Sequence, residues 1–153
     1  SSSQDVKLTE IIPNKDGTYR EGPAPLQLPS NAVTLLSVSG NLFYAAVNTL
    51  EEMLPSTREA ERPVVILRLR QSERIGSTFV NLVEYYDGQL KTRNGKLILA
   101  GVTQRVKEQL DLTETTQDVL GEENVFLATE NIAESMLAAL KAAQDWLKQD
   151  LDE

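Results

Sequence analysis

Pro63-Val64-Val65-Ile66-Leu67-Arg68-Leu69-Arg70 is an apolar, largely β-branched run, and Gln71-Ser72-Glu73-Arg74 separates it from Ile75-Gly76-Ser77-Thr78 and then Phe79 to Leu90. A short apolar run of this kind, bounded by a proline and a polar loop, suits a strand buried on both faces. Arg68 and Arg70 break it late, so the strand leaves the core there. Phe79, Leu82, Val83, Tyr86 and Leu90 fall at i, i+3, i+4, i+7 and i+11, one apolar stripe at helical period. Ser77 and Thr78 are placed to cap the first turn, and Gly76 to let the backbone turn sharply ahead of them. The order is strand, loop, helix.

A loop between the carboxyl end of a strand and the amino end of a helix is where open α/β folds place their sites. Its free N–H groups and the helix dipole favour an anion. Gly76, Ser77, Thr78 and Arg74 are therefore the candidate site, as an anion or nucleotide cradle or a regulatory loop. The alternative is plain: the hydroxyls cap a helix and the arginines are solvated.

Around this centre the chain of 153 residues is long enough for one domain with its own core. Hydrophobic residues make up 41% and charged residues 25%, which places it among soluble globular proteins. There is no Cys and no His. That removes thiolate nucleophiles, disulfides, imidazole metal sites and Ser-His-Asp catalysis. The net charge of −8 disfavours attraction to nucleic acid or anionic membrane surfaces. No stretch approaches the length of apolar sequence that spans a bilayer, and no signal peptide is visible, so a cytosolic setting fits best.

From the amino end, Ser1-Ser2-Ser3 looks like linker. Asp5 to Ile12 has a weak strand pattern, with Val6, Leu8 and Ile11 on one face. Asn14-Lys15-Asp16-Gly17 is a turn, and Thr18-Tyr19-Arg20 a short return strand. Glu21 to Asn31, with Pro23, Pro25 and Pro29, reads as an extended connector. Residues 1–31 thus form an extension, 32–149 the main domain and 150–153 a frayed acidic tail. Ala32 to Val38 is the next strand, and a first helix runs from about Tyr44 to Leu54, stopped by Pro55. Asn94 or Gly95 can take a left-handed cap after the Phe79–Leu90 helix. Lys96 to Ala100 is a strand ended by Gly101, and Thr103 caps a helix carrying Val102, Val106 and Leu110. Leu112 to Leu120 is a loop or short helical turn, Gly121-Glu122-Glu123-Asn124 a turn, and Val125-Phe126-Leu127 a short strand. Thr129 caps the last helix, whose stripe is Ile132, Met136, Leu140, Ala143 and Leu147. Strands alternating with helices in this way argue for an α/β fold, a mixed sheet with about four helices packed on it.

The order of strand, Ser39-Gly40-Asn41-Leu42-Phe43, helix, Val64 to Leu69, Ile75-Gly76-Ser77-Thr78, helix, Leu97-Ile98-Leu99-Ala100-Gly101-Val102, helix, Gly121 to Phe126 and helix resembles the STAS domain. That module is shared by sulfate-permease-type anion transporters and bacterial anti-sigma-factor antagonists. The resemblance covers about residues 32–142. Gly40-Asn41-Leu42-Phe43 and Leu99-Ala100-Gly101-Val102 look more like the transporter branch, and the proline-rich segment resembles cyanobacterial bicarbonate transporters of the BicA type. The antagonists usually carry Asp, then two hydroxyl residues, then Gly at the loop. Here Gly76 stands in place of the Asp and Phe79 in place of the Gly. Thr78 matches the residue phosphorylated in the antagonists, but without the Asp, and with bulky Phe79 closing the docking surface, phosphorylation is disfavoured.

The resemblance implies a non-catalytic regulatory and dimerisation domain of a membrane anion transporter, with sodium-dependent bicarbonate uptake as the transport. It implies as partners the transmembrane part of the same transporter and a second copy of the domain, an anion or nucleotide as ligand, no cofactor, no metal and no nucleic acid. The location implied is the cytoplasmic side of the inner membrane. A stand-alone antagonist-like switch is the alternative. Enzyme activity is not expected, because nucleophile and base are both missing and adjacent carboxylates such as Glu51-Glu52 and Glu122-Glu123 point to different faces of a helix. Trp146 either packs at a helix edge or anchors a dimer contact. Arg68, Arg70 and Arg74 are either solvated or paired with acidic residues of a second subunit.

Overall fold

The structure is a computed structural model that describes residues 6–43, 45–70 and 72–149, with Ala45 described by its backbone alone. The expectations for Ser1 to Asp5, Tyr44, Gln71 and the tail from Asp150 fall outside these residues. Among the described residues six strands are present: β1 (Val6–Pro13), β2 (Tyr19–Pro23), β3 (Val33–Gly40), β4 (Val64–Arg70), β5 (Lys96–Val102) and β6 (Val125–Leu127). The four α-helices are α1 (Ala45–Met53), α2 (Ser77–Lys91), α3 (Gln104–Leu112) and α4 (Glu134–Lys148). They make one sheet in the order β2-β1-β3-β4-β5-β6, antiparallel from β2 to β3 and parallel from β3 to β6. This is the mixed α/β architecture the alternation of strands and helices predicts.

β4 is central, and its alternation divides the core. Val65, Leu67 and Leu69 face the layer of α1, α2 and α3, where Phe79, Leu82, Val83, Tyr86 and Leu90 of the α2 stripe meet them. Val64 and Ile66 face α4, with Met136, Ala139 and Ala143. Both faces are apolar because helices cover both, as a parallel sheet requires.

Several expectations change. Ile11 lies on the face opposite Leu8, since positions three apart on a strand point to opposite sides. β2 extends through Gly22 and Pro23 into the expected connector, which an edge strand tolerates because one side of it needs no ladder bonds. β5 runs through Gly101, whose φ of +63° accompanies a register shift against β6 between Leu99 and Val102. α4 starts at Glu134 after Ala133 with no side-chain cap, while Thr129 bonds locally with Asn131. Ile132, expected in the α4 stripe, is 84% exposed ahead of the helix. Thr103 does cap α3, its Oγ1 accepting from Val106 N at 3.2 Å. Asn94 takes the left-handed turn after α2, at φ +61°.

Asp87 is buried on α2, its Oδ2 2.8 Å from Lys91 Nζ. Burial raises its pKa from the ordinary carboxylate value, with Lys91 only partly opposing this. A raised folded-state pKa means stability that is complete below the unfolded pKa and is lost as pH rises through the folded one. At neutral pH, Asp87→Asn is therefore expected to raise Tm by about 2–4 °C, and to flatten the fall in stability above pH 4. A lower Tm for the variant at pH 7 would show that the Lys91 pair outweighs desolvation.

Candidate functional site

The loop from β4 to α2 emerges at the carboxyl end of the parallel strands. Two neighbours lock it in place. Ile75 is buried, and the Gln109 amide of α3 bonds it twice: Ile75 N donates to Gln109 Oε1 at 3.0 Å, and Gln109 Nε2 donates to Ile75 O at 2.7 Å. Gly76 N donates to Leu42 O at 3.1 Å, tying the loop to the segment that follows β3. α3 is in turn held by Lys107 Nζ, 2.9 Å from Asp111 and 2.8 Å from Glu122. Those two partners, Glu122 first, raise the Lys107 pKa from its ordinary value. Gln109→Ala removes both bonds to Ile75. It is expected to cost about 1–2 kcal/mol and to speed amide exchange at Ile75 and Gly76. Unchanged exchange there would place the lock elsewhere.

The helix start differs from expectation. Gly76 is the N-cap, in extended backbone (φ −97°, ψ 169°), and no side chain caps the turn. Ser77 is already the first helical residue, so its hydroxyl is too far along to act as the cap. Gly76 is thus not there for a sharp turn. Its reason is space: a Cβ would lie 2.9 Å from Phe43 Cδ1. Any side chain at this position, the Asp of the resembled pattern included, would have to displace the Phe43 ring. Phe79, expected to close a docking surface, is fully buried in the core instead. Phe43, 44% exposed, is the aromatic that borders the helix start.

Of the candidate residues, Gly76, Ser77 and Thr78 sit together at the α2 amino end, with Ser77 exposed and Thr78 half-buried. Arg74 is exposed, and no ion pair involves it among the described residues. Arg70 Nη1 pairs with Glu21 Oε1 of β2 at 3.4 Å, and Arg68 Nη2 donates to Ile132 O at 3.3 Å. Burial, then the adjacent Arg70, lowers the Arg68 pKa from its ordinary value. Trp146 packs at the edge of α4 within this chain: the Arg62 guanidinium stands 4.4 Å over its ring and Lys96 Nζ 5.1 Å from it. Residues that sequence reasoning missed are Gln109, Phe43 and Ser72. The Ser72 hydroxyl is buried with no hydrogen-bond partner among the described residues. Nothing local marks the roles of Gln109 and Phe43, because each acts through a neighbour distant in sequence. What the arrangement offers chemically is an exposed hydroxyl and backbone N–H groups at a helix start, with Arg74 two residues before Gly76 in sequence.

The STAS domain family profile matches residues 27–132, from ahead of β3 through the segment preceding α4. A crystal structure described as a sulfate transporter family protein from Wolinella succinogenes is similar with a TM-score of 0.55 and 26% identity, over 72% of this chain and 88% of that one. No curated protein matches the chain.

Proposed function

Because the chain belongs to the STAS domain family, we propose that it is the regulatory and dimerisation module of a membrane anion transporter of the sulfate permease family, with no chemistry of its own. The observation that carries this reading is the family match over residues 27–132, from ahead of β3 through β6, together with a 26%-identical neighbour described as a sulfate transporter family protein. The anion path is assigned to a separate transmembrane part, since no helix among the described residues is long and apolar enough to cross a membrane. This domain stands on the cytoplasmic side, where its net negative charge keeps it off anionic headgroups. Bicarbonate taken up with sodium, as in the cyanobacterial transporters the proline-rich segment resembles, is the anion of this reading.

Uptake of labelled bicarbonate and sulfate by cells making the intact transporter, with and without sodium, tests it. Sodium-dependent bicarbonate uptake that changes when residues 6–149 are deleted is the expected result. A reading frame with no apolar spans around this sequence would overturn the transporter reading, and uptake of sulfate alone would overturn the choice of anion.

At the loop, Arg74, Gly76, Ser77 and Thr78 are proposed to hold an anion, or the phosphates of a nucleotide, on the free N–H groups of α2. Titration with bicarbonate, sulfate and ATP is expected to move the amide resonances of Ile75 to Val80 with saturation. No movement with any of them would leave the loop as a helix start only. The exposure of Ser77 in the first helical turn sustains a second reading, a stand-alone phosphorylated switch. An added phosphate there would meet the positive end of the helix dipole. A mass increase of one phosphate at Ser77 or Thr78 after incubation with a cognate kinase would favour it.

A further inference from the structure

The alternation that sends Val65, Leu67 and Leu69 towards α2 sends Arg68 and Arg70 to the other face of the sheet, the one on which α4 packs. Strand register aligns them with their neighbours. Lys7 of β1, Ser39 of β3 and Arg70 of β4 form one row across three strands, and Thr9, Ser37 and Arg68 form the next. Residues opposite one another in a sheet share a face, so three cations and three hydroxyls make one patch. Beyond the second row this face turns apolar, with Ile11, Leu35 and Ile66 in the α4 cluster. β2 pairs with β1 only from Thr9 onward, so among the described residues no strand lies outside Lys7. A hollow of about 310 Å³, lined by Val6, Lys7, Ser39 and Gly40, opens at the first row. Lys7 and Arg70 are exposed, Arg68 is half-buried and Ser37 is buried.

The charges of the patch do not balance. Arg70 Nη1 stands 3.4 Å from Glu21 Oε1, and no other carboxylate is in ion-pair contact with Lys7, Arg68 or Arg70 among the described residues. Glu73 follows β4, and Glu130 and Glu134 flank Ile132; none of the three pairs with a cation among the described residues, and Glu134 accepts from Asn131 Nδ2 at 2.8 Å. Three cations thus face one carboxylate in a chain whose net charge is −8. Arg68 is the sharpest case. Among the described residues its guanidinium gives one hydrogen bond, to Ile132 O. Burial and then Arg70 disfavour its charge, and Glu21 opposes them without touching it. A guanidinium drawn partly out of water beside a like charge is stabilised by an added anion. Guanidinium forks meet an oxyanion with two N–H groups at a time, and hydroxyls such as that of Ser39 can donate beside them.

We propose that this patch binds a soluble phosphate-type oxyanion of two or more charges, held by Arg68 and Arg70 with Lys7 and Ser39 at its rim. The site lies on the face of the sheet opposite α2, so it is distinct from the helix-start loop and stands whether or not that loop holds a ligand. Charge also selects a small ligand over an anionic membrane. The chain's −8 repels an extended negative surface, whereas a small anion within a Debye length meets chiefly the field of the patch.

Titration of the isotopically labelled chain with inorganic pyrophosphate at low salt is expected to move the amides of Lys7, Ser37, Ser39, Arg68 and Arg70 with saturation. Arg68→Gln is expected to weaken binding about tenfold or more, and exposed Lys7→Gln by about threefold. Arg70→Gln, at an exposed position that the fold does not depend on, is expected to weaken it as Arg68→Gln does. Arg74→Gln, in the helix-start loop, is expected to leave it unchanged. Bicarbonate, with a single charge, is expected to bind this patch at least about tenfold more weakly than pyrophosphate. Saturable shifts confined to Ile75 to Val80 would overturn this site while the loop reading stands. Affinity unchanged in both Arg68→Gln and Arg70→Gln, or equal affinity for bicarbonate, would overturn the ligand class or its holders. Cosedimentation with phosphatidic acid vesicles that pyrophosphate abolishes would overturn the soluble ligand in favour of a lipid headgroup.

Discussion

Gly95→Ala is expected to destabilise the fold by about 3 kcal/mol or more, a drop in Tm of roughly 6–12 °C for a chain of this size. The chain leaves α2 through Asn94 at φ +61°, and Gly95 N then donates back to Leu90 O at 2.8 Å. This closes the helix and brings the backbone against Pro63, whose carbonyl accepts from Lys96 N at 3.1 Å to begin the β4–β5 ladder. A Cβ on Gly95 would fall 1.9 Å from that carbonyl oxygen and 2.9 Å from Pro63 Cδ. Neither atom belongs to a flexible side chain, so relief requires β4 and β5 to part at their shared first rung. Gly88, on the exposed side of α2, has nothing within 4 Å of the same added atom. Gly88→Ala should instead stabilise by about 0.5–1 kcal/mol, as expected for an open helix interior. Urea denaturation of the pair decides the matter. A Gly95→Ala midpoint close to wild type would mean that the two strands are not held as tightly there as the distances state.

Arg62→Ala is the second large effect, expected at about 2–4 kcal/mol. The buried guanidinium donates to Leu147 O at 3.0 Å, Trp146 O at 3.1 Å and Gln149 O at 3.5 Å, the carbonyls that end α4. A helix leaves its last carbonyls unpaired and carries partial negative charge there, so a cation at that end serves both needs. The same group stacks on Trp146. Arg62 holds this position at φ +56°, a left-handed conformation that costs an ordinary residue about 1–2 kcal/mol. Alanine keeps that strain and loses the contacts, while glycine loses the contacts and the strain together. Arg62→Gly should therefore be more stable than Arg62→Ala by about 1 kcal/mol. Equal stability of the two variants would mean that the backbone there relaxes once the side chain is gone.

Much of this was legible in the sequence where the signal is local. The two-sided apolar run of β4 and the stripe from Phe79 to Leu90 gave the strand–loop–helix unit, and Thr103 capped the helix it precedes. What was not legible depends on partners far along the chain. Gly76 reads as a turn glycine, yet its backbone is ordinary and Phe43 explains it. Phe79 reads as a surface obstruction because its position in the loop pattern suggests exposure, whereas its place in the helical stripe, the better guide, buries it. Ile132 keeps period with Met136 and Leu140, but periodicity alone does not say where a helix begins. Arg62 sits in a polar loop and gives no sign that it serves a helix some eighty-five residues later. For the candidate site, the segment was found and the residue types were right, but the groups that fix its shape were not visible.

The position of Arg62 also bears on how α4 opens. A helix at the margin of a domain ordinarily frays from its outer turn inward, each residue a little looser than the one before. Here the near end is tethered as well, by Gly101 N donating to Ser135 Oγ at 2.9 Å. With both ends pinned to other parts of the chain, α4 has no loose thread from which to unravel. It detaches as a single piece or stays in place, and the face of the sheet beneath it is bared all at once.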